Sequence, residues 1–201
     1  MSFSPYLLPL AAFWPMLSAL TAYCVGRRNK HARDRVAQFA AGFEFLLLSG
    51  ILLLVSRSGP MACSLPKILG GLAFEADGFR ALYALIAALM WLATTVFSEE
   101  YLGHYRNRNR YYFFTLLTCG ATVGVFLSAD LLTTFIFFEI MSFTSYVMVI
   151  HDENPSAMRA GQTYLAVAVL GGMVMLMGLF LLYTLTGTLK ISPASILKSS
   201  I

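Results

Sequence analysis

The 201 residues are 58% hydrophobic and only 12% charged, with a net charge of +4 and a mean hydropathy of +0.72. Soluble domains carry about 25% charged residues. At half that density the chain has too little polar surface to meet water on every side, which excludes an ordinary soluble enzyme and points to lipid as the solvent.

A helix of about 20 apolar residues crosses the roughly 30 Å hydrocarbon layer. Six stretches qualify, at 4–26, 36–56, 79–98, 111–129, 131–151 and 161–186. Runs such as Phe45-Leu46-Leu47-Leu48 do not alternate as barrel strands do. The sequence therefore predicts an all-α membrane protein with about six transmembrane helices.

The first stretch is uncharged and is followed, not preceded, by Arg27 and Arg28. A signal peptide has the opposite order, so this segment is expected to be retained. It holds Pro5, Pro9 and Pro15, which bend a helix but are tolerated in membranes where neighbours satisfy the freed backbone groups. The second stretch contains one charge, Glu44, whose helical face (Ala37, Ala40, Ala41, Leu47, Leu48, Ile51) offers no polar companion. A structural or interfacial role at a partner subunit is the plain expectation for Glu44, and a secondary place in an ion path is the other. The 57–78 connection carries Gly59-Pro60, Pro66 and Gly70-Gly71 and reads as a loop packed on the helix ends.

Tyr101, Tyr105, Tyr111 and Tyr112 gather before the fourth stretch, where an interfacial aromatic belt is expected. Gly120 and Gly124 in that stretch, and Ala168 and Gly172 in the sixth, are spaced for close helix contacts. Only Ser128-Ala129-Asp130 separates the fourth and fifth stretches, and Asp130 is placed to cap the fifth. The fifth contains Glu139, nine residues in, with Ser142 one turn on and Tyr146 two turns on along the same face. An ionisable group deep in a membrane helix is costly and is a functional candidate by default. Glu139, Ser142 and Tyr146 could line a hydrated proton path, and the alternative is a structural carboxylate bonded to a neighbouring helix.

Cys24, Cys63 and Cys119 are far apart and read as small buried hydrophobes, and His31, His104 and His151 read as solvated loop histidines. No metal-ligand spacing, phosphate loop or nucleophile motif is present, so no metal and no cofactor is expected. No basic stripe interleaved with aromatics argues for nucleic acid. Nine Lys/Arg fall in the 1–2, 3–4 and 5–6 connections and five on the other side. The positive-inside rule then places both termini outside the cytoplasm.

Gly124-Val125-Phe126-Leu127-Ser128-Ala129-Asp130-Leu131-Leu132, Phe138-Glu139-Ile140-Met141-Ser142 and Ser145-Tyr146 together resemble the signature of antiporter-like membrane subunits. Such subunits occur in respiratory complex I, energy-converting hydrogenases and multisubunit Na⁺/H⁺ antiporters. Tyr164-Leu165, Gly171-Gly172, Leu181-Leu182-Tyr183 and Thr186-Gly187-Thr188 are similar to the family's next helix, and Asp77-Gly78-Phe79 and Ser98-Glu99-Glu100-Tyr101 to its third. The likeness covers roughly 75–190.

The resemblance implies that Glu139 is the family's membrane glutamate, which works in proton translocation with a lysine on a seventh helix. It also implies a division into three N-terminal helices (1–110) and the first three helices of the antiporter-like repeat (111–189); the more polar last twelve residues (190–201) read as a short tail or a truncated linker. Gln162-Thr163 stands where many relatives have a lysine before the tyrosine. The expectation is a split or truncated subunit in the cytoplasmic (inner) membrane, non-catalytic itself, inside a redox-driven proton- or Na⁺-pumping complex. Its partners would be lipid and other membrane subunits, one of them supplying the later helices and the lysine. A transport-inactive scaffold is the main alternative, and a stand-alone transporter the lesser one.

Overall fold

The computed structural model describes residues 6–65, 71–102 and 107–191. Its helices are α1 (Leu7–Gly26), α2 (Lys30–Ser58), α3 (Gly78–Tyr101), α4 (Arg108–Phe126), α5 (Leu131–Val149) and α6 (Pro155–Thr186). Five of them, all but α4, are long and apolar enough to cross a membrane. The chain is a multi-pass membrane protein.

Several helices start earlier than their apolar stretches, because capping residues set a helix start while the apolar run marks only its lipid-compatible part. Asn29 accepts from the His31 and Ala32 amides, so α2 begins at Lys30 and its basic residues are helical rather than in a loop. Asn154 accepts from the Ala157 amide at 2.7 Å, with Pro155 opening α6. Asp77 does the same for α3 through Arg80 N.

The 2–3 connection is not all loop. Met61–Leu65 (β1) and Leu72–Ala76 (β2) pair antiparallel, Met61 opposite Ala76 and Leu65 opposite Leu72. Pro66 and Gly70 lie outside the described residues. The hairpin closes one end of the bundle. Phe74 is fully buried against Phe13 and Phe137, and Glu75 N and Ala73 O bond to Leu127 O and Ala129 N of the α4–α5 turn.

Helix α4 lies between α1 and α5, which explains its lower apolarity. Its buried residues include Thr115, Thr118, Cys119, Gly120 and Gly124, because they face helices instead of lipid. Added to Gly120, a Cβ would lie 2.6 Å from Ala12 O of α1, and at Gly124 it would meet the Phe137 ring of α5. The two glycines thus admit two different neighbours. Pro15 is buried inside α1 near this crossing, and Ser18 Oγ donates to Pro15 O. At the other extreme α6 is apolar nearly all round and exposes Leu170, Val174, Met177 and Leu185, as a helix facing lipid or other helices does.

Candidate functional site

Asp130 is the N-cap of α5: Oδ1 accepts from Thr133 N at 2.7 Å and Oδ2 from Thr133 Oγ1 at 3.0 Å. This start places Glu139 midway along the 19-residue helix, on the side that meets α6. There the carboxylate lies directly on Gly172, where any Cβ would collide with Oε1. Gly172 therefore makes the room that Glu139 occupies. Oε1 is shut off from the surface and has no hydrogen-bond partner among the described residues. Gly171 has open space beside it.

Next to this contact runs a groove of about 530 Å³ between α5 and α6, lined by Phe138, Ser142, Thr163, Tyr164, Ala168 and Gly172 among others. Among the described residues its lining contains no lysine or arginine. Ser142 is buried, and Tyr146 packs on Gly161 one turn beyond. The structure thus brings Glu139, Ser142 and Tyr146 to one face of α5, although no hydrogen bond joins the three. Thr144, on another face of α5, is bonded to Thr118 Oγ1 of α4 at 2.8 Å and belongs to the helix packing.

Other placements differ from the sequence reading. Glu44 is not interfacial: it is fully buried in the middle of α2, facing the bundle. Arg33 is not a loop charge. It is 2% exposed and donates through Nε and Nη2 to Asp34 Oδ1, while Arg108 Nη2 of α4 reaches Asp34 Oδ2 at 3.1 Å. Tyr112 is buried beneath the Arg33 guanidinium, 4.8 Å from its ring centre, and so is no belt residue. Tyr105 and His104 lie outside the described residues. Cys119 is buried as expected, but Cys24 is exposed and Cys63, in β1, is half-buried.

Sequence reasoning missed the Arg33–Asp34–Arg108 cluster. Its signal was present: positions 33, 34, 37, 40, 41, 44, 48 and 51 form a single buried stripe at helical spacing. His31, Asp34 and Glu99 bring possible ligand atoms within 4.8 Å of one another. Both Asp34 oxygens already accept from arginines, and Glu99 Oε2 accepts from Gln38 at 2.7 Å, a poor setting for a cation.

Residues 128–198 match the family described as NADH:quinone oxidoreductase/Mrp antiporter, TM. A Na(+)/H(+) antiporter subunit of Bacillus subtilis (strain 168) is 28% identical over 165 residues, 81% of this chain and 34% of that protein. The chain is thus similar to antiporter-like membrane subunits, in the matched segment and over most of its length. A probable K(+)/H(+) antiporter subunit of Rhizobium meliloti (strain 1021) is 28% identical over 93% of the chain and 36% of its own length. The fold superimposes on a chain of the Mrp complex from Dietzia sp. DQ12-45-1b with a TM-score of 0.81 at 22% identity, over 99% of this chain and 39% of that one. The chain spans about a third of the length of the curated relatives it matches.

Proposed function

We propose that this subunit contributes half of an ion-translocation path to a multisubunit membrane complex, with Glu139 as the group that takes up and releases a proton. The observation that carries the reading is the Glu139 carboxyl seated on Gly172, beside an open groove and without a locking hydrogen bond on Oε1. A carboxylate held by backbone amides would be fixed in charge. One that faces a groove can change its charge as water or a cation approaches. Ser142, in the groove wall, and Tyr146, a turn further on, supply hydroxyls along the same face.

The cation that pairs with Glu139 comes from another membrane segment of the complex, since the groove lining holds no basic side chain among the described residues. The long apolar surface of α6 offers that segment a seat. Relatives named as Na(+)/H(+) and K(+)/H(+) antiporter subunits favour H⁺ as the ion handled at a carboxylate. Such a subunit works in the cytoplasmic membrane, inside an antiporter or a redox-driven complex whose electron chemistry lies in other subunits.

Replacing Glu139 by Gln in the assembled complex, reconstituted in vesicles, tests this. Proton transport is expected to be lost while subunit assembly, read by native gel, stays intact. Unchanged transport would leave a scaffold.

A further inference from the structure

The bundle formed by α1–α4 contains a second acid that the path at Glu139 does not use. Glu44 is the fifteenth of the 29 residues of α2, about 21 Å from either end at about 1.5 Å per residue. It is 0% exposed, and neither carboxyl oxygen has a hydrogen-bond partner among the described residues. The bundle's two indole N–H groups are committed close by: Trp14 Nε1 donates to Ala40 O and Trp91 Nε1 to Thr115 O.

No basic group stands opposite among the described residues. The part of α1 packed here, Leu8 to Ala22, has no titratable side chain. On α4, Cys119 lies within electrostatic reach of Glu44, while Tyr111, Tyr112, Arg108 and Arg110 are at the helix start. On α3, Arg80 and Tyr83 lie near one end and Glu99, Glu100 and Tyr101 near the other. On α2 itself, Lys30, His31 and Arg35 lie in the first turns, Arg33 and Asp34 are paired with each other, and Arg57 is at the far end.

An ionised carboxylate without donors or a counter-charge in such a place is prohibitively costly, and the group neutralises instead. We infer that Glu44 is a second proton-binding site of this subunit, a carboxyl that keeps its proton inside the α1–α4 bundle independently of Glu139. It would release that proton only when helix movement admits water or a cation to the middle of α2.

Infrared spectroscopy of the purified complex with isotope-labelled glutamate tests the assignment. The expected result is a protonated-carboxyl carbonyl band at neutral pH that is lost in Glu44→Gln, shifted in Glu44→Asp and retained in Glu139→Gln. Retention in Glu139→Gln separates this site from the proposed ion path, so either can fail alone. A band unchanged by Glu44→Gln would overturn the inference. Should both Glu44 variants fail to assemble, the wild-type complex still decides against it if no protonated glutamate is seen at pH 7.

Discussion

Single residues tie together what the loops leave open. Asp34 joins α2 to α4 because two guanidiniums share its carboxylate, and Arg110 ties the start of α4 to the α5–α6 connection by donating to Glu153 Oε1 and, at 3.2 Å, to His151 O. The second corner responds to pH. Burial first, then the nearby Arg110 charge, hold His151 below its ordinary value of 6.5, while the hydrogen bond from Arg110 holds the exposed Glu153 below 4.5. In both cases the unfolded chain binds the proton more readily. The stabilisation is therefore complete above the ordinary value and is lost as pH falls through the lowered one. Acidification should loosen the corner in two stages, His151 beginning as pH drops below 6.5 and Glu153 below 4.5. Hydrogen exchange of amides at 107–111 and 150–158 reads this. Arg110→Gln should leave the corner loose at neutral pH and abolish the Glu153 stage; protection that stays flat from pH 7 to pH 4 would contradict the reading.

Among the elements, the helices were legible from apolar runs, and the corrections follow from what such runs do not encode. Asn29 and Asn154 begin α2 and α6 in polar sequence, and no run of hydrophobicity could show that. The hairpin escaped because Met-Ala-Cys-Ser-Leu has no strong strand pattern; its order comes from Phe74 sitting in the core and from backbone bonds to the α4–α5 turn. The Glu139–Ser142–Tyr146 face could be read from spacing, whereas its neighbour Gly172 could not, since partner choice across α5 and α6 is tertiary. The glycines give a paired prediction. Gly→Ala in a helix is intrinsically favourable by about 0.5–1 kcal/mol. At Gly171 nothing lies within 4 Å, so Gly171→Ala should gain a few tenths of a kcal/mol or be neutral. At Gly120 the added Cβ would meet the backbone oxygen of Ala12, which cannot swing aside, so Gly120→Ala should cost about 1–3 kcal/mol despite its better propensity. Thermal melting of both variants in detergent, followed by gel filtration, compares them; equal midpoints would mean that α1 and α4 do not approach through Gly120.

At the scale of the whole molecule the contacts sort the connections into two ends. Asp34 with Arg108, and Arg110 with Glu153, put the 1–2, 3–4 and 5–6 connections together. The hairpin, the α4–α5 turn and the end of α6 meet at the other end, where Leu131 N donates to Leu189 O and Ile191 N to Ala129 O. The first end carries Arg27, Arg28, Lys30, Arg33, Arg35, Arg108, Arg110 and Arg159, the second Arg57, Arg80 and Lys190. Juxtamembrane Lys and Arg stay in the cytoplasm, so the first end should face inward and the hairpin outward. Thiol labelling can decide. Cys63 lies in the hairpin, half-buried, and burial pushes its thiol up, so it should react slowly at neutral pH and faster as pH rises. A Ser156→Cys substitution places a thiol in the exposed first turn of α6 at the opposite end. In a Cys24→Ser background with the subunit in its complex, a membrane-impermeant maleimide added to intact cells should label Cys63 and spare position 156. Inverted vesicles should give the reverse. The opposite pattern would invert the orientation, and labelling of both from one side would break the two-ended arrangement itself.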